Sequence, residues 1–172
     1  VVYYFYAALA LGAPAKSVSF SVPTGNFGDI FAGHIARRMG LAIDQLIIAS
    51  NRNDILTRCI ATGTYGMDTV VPTISPSMDI QVSSNFERLL FEMNHRDGGM
   101  TAEQLGHFRA SGRLTVEADQ RAEFLDGVFA AARIDDDGTL DVMRRTAPST
   151  GMLVDPHTAV GLSAAEQLPW RS

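Results

Sequence analysis

The residues best placed to do chemistry in this 172-residue chain are two glycines, Gly25 and Gly28, set in Val22-Pro23-Thr24-Gly25-Asn26-Phe27-Gly28-Asp29. Before them Val18, Phe20 and Val22 alternate with serines, the period of a strand. After them Ile30 to Met39 reads as a helix. A glycine turn between a strand and a helix leaves backbone N–H groups free at the positive end of the helix, which suits a phosphate. The turn lacks the Gly-Lys-Ser/Thr of a nucleotide P-loop, and it has no Gly-x-Gly pair of the dinucleotide type. Asn26 stands where a nucleophile elbow would need serine. A tight structural turn accounts for the same pair of glycines.

Two more polar segments follow apolar runs. Ser50-Asn51-Arg52-Asn53-Asp54 comes after Leu46-Ile47-Ile48-Ala49, and Asp155-Pro156-His157-Thr158 comes after Met152-Leu153-Val154. In a parallel sheet, ligands collect at the carboxyl ends of the strands, so all three segments converge on one candidate site. Asn53 or Asp54 reads as a helix cap. Asn51 and Arg52 could meet a substrate phosphate or brace the loop. Ser75, Ser77 and Asp79, set among Pro72 and Pro76, suit a fixed wall. Arg88 reads as the partner of a nearby carboxylate, and His157 as a structural residue and not a proton donor.

The elements that must position these residues alternate between strand and helix. Thr69-Val70-Val71 is a third strand candidate, and Met152-Leu153-Val154 a later one. Ile55, Leu56, Cys59 and Ile60 lie on a helix stopped by Gly63. Ser84-Asn85-Phe86-Glu87 has capping-box spacing ahead of Leu89, Leu90 and Met93. From Thr101 to Thr146 the pattern is helical, with Ala122, Leu125, Val128, Phe129 and Ala132 on one face. Ala159 to Leu168 is the last helix. The class is α/β, a mostly parallel sheet flanked by helices.

Bulk properties narrow the function. At 46% hydrophobic with a formal charge of −5, the chain suits one soluble domain and not a nonspecific nucleic-acid binder. Cys59 alone cannot form an intrachain disulfide; it reads as a buried thiol in a reducing, cytoplasmic setting. Asp135-Asp136-Asp137-Gly138 hints at calcium, but Arg133 occupies the first ligand position of an EF-hand loop, so a solvated turn and no metal is expected. The apolar run Val1 to Leu11 falls short of the ~20 residues of a membrane span and reads as a buried helix ended by Gly12 and Pro14. Without an initiator methionine, the chain reads as part of something longer.

Five blocks in order give a more specific reading: Val22 to Asp29, Ser50 to Asp54, Ser75-Pro76-Ser77-Met78-Asp79-Ile80, Ser83-Ser84-Asn85-Phe86-Glu87-Arg88-Leu89-Leu90, and Leu153 to Gly161. With these the chain resembles the threonine synthases, fold type II pyridoxal phosphate enzymes, over nearly all its length. The resemblance implies part of a tryptophan synthase β-like fold, the C-terminal portion of the large cofactor domain. On that reading residues 1–96 and 147–172 form the α/β core, and 97–146, which carries no matching motif, is a helical insertion.

The resemblance also implies roles. Gly25, Asn26, Phe27, Gly28 and Asp29 would cup the cofactor phosphate, the glycines allowing close approach. Asp29 would offer its N–H, its side chain turned away or capping the helix. Thr158 would lie beside the pyridine nitrogen, or merely cap the last helix. The family's cofactor-binding lysine has no counterpart, since Lys16 is the only lysine and precedes the first strand. No catalytic residue is therefore assigned, and the chain alone is expected to be inactive. The implied reaction converts O-phosphohomoserine and water into threonine and phosphate, with a small-molecule substrate and neither nucleic acid nor membrane as partner. The alternatives are a non-catalytic threonine-synthase-like binding protein and another fold type II lyase such as a serine/threonine dehydratase.

Overall fold

The structure is a computed structural model and describes residues 1–168. Residues 169–172, the end of the expected core, lie outside the described residues. Strands β1 (Val18–Pro23), β2 (Ile43–Ser50) and β5 (Phe129–Arg133) form a parallel sheet in the order β1-β2-β5. The register pairs Pro23 with Ala49 and Ser50 with Arg133, so the three carboxyl ends share one edge. Strands β3 (Thr64–Gly66) and β4 (Arg113–Thr115) form a small antiparallel ribbon.

Central strand β2 is apolar on both faces because both are covered. Leu46 and Ile48 face one core with Val22, Ile30 and Leu56, from the side of α1 (Val2–Ala10), α2 (Gly28–Arg38) and α3 (Ile55–Thr62). Ile47 and Ala49 face the other, with Val160 and Ala164 of α8 (Pro156–Gln167). Gly161 lets α8 lie close on β1, since a Cβ there would meet the Pro23 ring at 3.1 Å. The remaining helices are α4 (Phe86–Met93), α5 (Gly98–Ser111), the short α6 (Ala118–Gln120) with a π turn at Arg121–Leu125, and α7 (Asp136–Thr150). Among the described residues no helix is long and apolar enough to cross a membrane.

Several expected elements differ. Phe129–Arg133, expected on a helical face, is strand β5, so a strand of the main sheet comes from the stretch 97–146 that reads as an insertion. Its run of alanines favours helix locally, but pairing with β2 overrides that preference. Thr69–Val71 is not a strand: the Val71 N–H donates to Asn53 Oδ1 (2.8 Å) and its carbonyl accepts from Asn53 Nδ2 (2.8 Å), so a side chain replaces the ladder. Met152–Val154 is not a strand either, and Leu153 is 92% exposed. Helix α1 is buried along one side only, through Tyr4 and Ala8, while Tyr3 and Tyr6 are exposed. Helix α4 starts without the expected capping box: its N-cap is Asn85 and not Ser84, and the Asn85 side chain is turned to the carbonyl of Asn26. Asp135 does not merely sit in a turn; its carboxylate caps α7 by accepting from the Gly138 N–H. Gly63 ends α3 in the left-handed conformation, as expected.

Candidate functional site

The loop Thr24–Phe27 leaves β1 at the shared edge. The Thr24 N–H extends the ladder to Ala49 O (2.8 Å), which fixes the loop's start beside β2. Phe27 then turns left-handed, at φ 67°, and forms the N-cap of α2. That conformation is uncommon for a non-glycine residue, and burial of the ring against Phe86 (5.6 Å between centroids) holds it. Of the amides from Gly25 to Asp29, only Gly28 donates within the described residues, to Asn26 Oδ1 at 2.9 Å. The N–H groups of Gly25, Asn26, Phe27 and Asp29 are uncommitted.

Neighbouring protein crowds both glycines. A Cβ on Gly25 would meet Ser77 O and Met78 Cα, both at 3.2 Å. One on Gly28 would meet Asn85 Nδ2 at 3.0 Å. The loop's carbonyls are held as well: Ser83 Oγ donates to Gly25 O, and Asn85 donates to Asn26 O from both its backbone and its side chain. Ser83 and Asn85 thus hold the loop, a role invisible in sequence because each acts some 60 positions away. Asp29 does not cap α2 through its side chain. Its carbonyl accepts from Tyr4 Oη (3.1 Å), and burial together with the neighbouring Asp29 pushes that phenol well above its usual range.

The second segment is committed to its own loop. Asn51, 1% exposed, donates through Nδ2 to Thr73 Oγ1, Ser75 Oγ and Asp79 Oδ1, at 2.8 to 2.9 Å. Its Oδ1 accepts the Asn53 N–H (2.9 Å). Those bonds commit the Asn51 side-chain amide to its own loop. Arg52 is exposed and makes no hydrogen bond or ion pair among the described residues. Asp54 is the N-cap of α3 by position, but its carboxylate pairs with Arg58 (2.8 Å) and does not cap. Arg88 is exposed and has no carboxylate partner among the described residues.

The third segment reaches the same edge through α8. Thr158 lines a shallow depression of about 190 Å³ with Ser21, Pro23 and Gly161, two residues along the chain from Gly25. Its hydroxyl donates to Asp155 Oδ2 (2.6 Å), and Asp155 caps α8 by accepting from the amides of His157 and Thr158. The Thr158 hydroxyl, with the amides of that turn, lowers the Asp155 pKa to about 2. His157 Nδ1 lies 3.1 Å from Asp155 Oδ1. Cys59 is fully buried and burial raises its pKa to about 12, so it is an inert thiol. The described residues contain no cluster of metal-ligating side chains.

No protein-family model matches the chain. Threonine synthase of Pseudomonas aeruginosa is 55% identical over 167 residues, covering 97% of this chain and 35% of that protein. A crystal structure of pyridoxal-phosphate-bound threonine synthase from Brucella melitensis superposes with a TM-score of 0.94 at 49% identity, over 99% of this chain and 36% of that one. The yeast threonine synthase structure gives 0.89 at 37% identity, over 96% and 35%. The chain therefore spans about a third of the length of the curated relatives it matches. A parallel sheet with its polar loops at one edge, carried on that degree of identity, places the chain in the threonine synthase family.

Proposed function

We propose that this chain supplies the phosphate-binding part of a pyridoxal phosphate site in a threonine synthase. That enzyme converts O-phosphohomoserine and water into threonine and phosphate, in a cytoplasmic setting. The observation that carries the reading is the loop Gly25–Asp29, with four uncommitted amides at the start of α2. The fit is chemical: the donors are backbone N–H groups at a helix N-terminus, without a side-chain base, which is what a phosphate dianion requires. Bound there, the cofactor would supply an electron sink for chemistry at the substrate's α- and β-carbons.

The chain's own residues hold and orient. Gly25, Asn26, Phe27 and Asp29 donate to the phosphate through their amides, and Gly28 keeps the turn closed against Asn85. Thr158 lies on the same edge; to donate to an unprotonated ring nitrogen its hydroxyl must release Asp155. A hydroxyl there cannot keep a proton on that nitrogen as a carboxylate would. Arg52 is the substrate-phosphate candidate left with a free guanidinium.

The test uses the 172-residue protein labelled for NMR. Titration with pyridoxal phosphate should shift the amides of Gly25, Asn26 and Phe27 and the signals of Thr158, with inorganic phosphate competing for the first three. Shifts confined to other residues would reject the site. The activity is tested by exchanging this chain for the matching third of the Pseudomonas aeruginosa enzyme. A folded chimera that binds cofactor yet releases no phosphate from O-phosphohomoserine would reject the reaction.

A further inference from the structure

Asp79 accepts four hydrogen bonds from the loops that follow β2. Its Oδ1 accepts from Asn51 Nδ2 (2.8 Å), Asn53 Nδ2 (3.0 Å) and Thr73 Oγ1 (2.7 Å), and its Oδ2 accepts from the Thr73 N–H (2.9 Å). No arginine, lysine or histidine pairs with it among the described residues. A carboxylate surrounded by neutral donors, beside the buried Asn51, Asn53 and Ser75, fixes a loop in one shape. The same loop delivers Ser77 and Met78, whose backbone atoms are the wall that a Cβ on Gly25 would strike. The loop has no sheet pairing; besides Asp79 it is held by burial of Met78 in the second core and by the bonds from Asn51 to Ser75.

We propose that Asp79 is a positioning residue for the anion loop. It gathers Asn51, Asn53 and Thr73 so that the Ser77–Met78 backbone sets where the Gly25 and Asn26 amides point. The proposal rests on the reading that those amides bind phosphate. It assigns Asp79 no contact with the ligand. The path runs from the carboxylate, through its bonds to Asn51 and Thr73, to the Ser77–Met78 backbone, which leaves no more than glycine's room at position 25.

Asn at position 79 keeps the shape but presents an NH₂ where one carboxylate oxygen accepted. In Asp79→Asn, phosphate affinity at the Gly25, Asn26 and Phe27 amides should fall by about tenfold, the effect of losing one charge-assisted bond. The Ile47 and Ile48 amides of β2 should keep their shifts, which shows that the sheet is intact. Thr73→Val should lower affinity in the same direction, and Thr73→Ser, which keeps the hydroxyl, should restore it. Phosphate affinity that falls while the urea midpoint holds separates positioning from a merely structural role. In the ligand-free protein the Gly25–Phe27 resonances should broaden in Asp79→Asn and not in Thr73→Ser. Signals from residues 73–80 that move while phosphate affinity holds would overturn the proposal. If Asp79→Asn fails to fold, Thr73→Val and Thr73→Ser decide it by the same readouts. A wild-type chain whose loop amides ignore phosphate would instead reject the anion site itself, and the proposal with it.

Discussion

The two loops that leave β1 and β2 start side by side and use their polar groups in opposite ways. The loop after β1 has four donors with no partner among the described residues and a backbone strained at Phe27. In the loop after β2, Asn51 and Asn53 each bond through both ends of the side-chain amide. Asn26 and Asp29 are exposed, so donors left unpaired at the positive start of α2 are open to an anion. Saturated groups mark a brace. Sequence alone presents both loops as short polar runs after apolar ones, and only the accounting of partners separates them.

The largest effect expected from breaking this contrast is at Gly28. Gly28→Val forces a branched side chain against Asn85 Nδ2, which already lies 3.0 Å from where a Cβ would stand. Binding of inorganic phosphate and of pyridoxal phosphate should be lost, with tight retention of cofactor by the variant after dialysis as the contrary result. The fold itself should be affected less, because the clash falls on an exposed side-chain amide at the loop and not on the sheet.

The converse holds at Asn51. Asn51→Ala leaves Asp79, Thr73, Ser75 and the Asn53 amide short of partners in a buried place, and should cost about 2–4 kcal/mol of stability. Urea denaturation measures it. A loss under about 1 kcal/mol would mean that water replaces the side chain, and that the loop after β2 is not the saturated brace described.

How much of this was legible in the sequence follows from which interactions are local. Strands β1 and β2, helix α2 and the glycine turn were readable because alternation, a continuous apolar run and helical spacing are properties of neighbouring residues. Strand β5 was not: Phe129-Ala130-Ala131-Ala132 has the local preference of a helix, and its partner Leu46–Ala49 lies some 80 positions earlier. Val71 looked like a strand residue because its backbone does pair, though with the side chain of Asn53. The apolar Met152-Leu153-Val154 misled in the opposite way, since those residues find no strand to join. The reasons for Gly25 and Gly28 were also hidden, because the atoms they make room for belong to the 77–85 segment.

His34 sharpens the comparison from the far side of α2. Its ring is stacked between Phe31 and Phe129, and neither nitrogen has a partner among the described residues. Burial lowers its pKa to about 4, with Arg38 and Arg37 adding to the effect. The folded state therefore takes up this proton less readily than the unfolded chain does. The stability is fully present above the ordinary histidine value near 6.5 and is lost as pH falls from there towards 4. The loss should be on the order of 3 kcal/mol. His34→Leu should flatten this part of the pH–stability curve without weakening phosphate binding near neutral pH. An equally steep curve in the variant would assign the acid sensitivity to other groups. Orphaned polar atoms thus mean different things by location: these are sealed in an aromatic stack, whereas those of the anion loop stand where a ligand can reach them.

The smallest effect is expected one residue from one of the largest. Arg52 and Asn51 are adjacent and looked equivalent as candidates for a substrate phosphate, yet Asn51 is buried in a hub and Arg52 is exposed with no partner among the described residues. A surface side chain with nothing to lose changes stability by no more than about 0.5 kcal/mol. Arg52→Ala should therefore leave the urea midpoint where it is and leave the Gly25–Phe27 amides responsive to inorganic phosphate. Any role for Arg52 must then be in meeting a second anion, and it should be visible as a salt-dependent loss in binding a phosphate ester by the chimeric enzyme with retained cofactor affinity. A stability loss above about 1 kcal/mol would show that Arg52 belongs to the brace after all, and that the boundary between the saturated and the open part of the edge does not fall between residues 51 and 52.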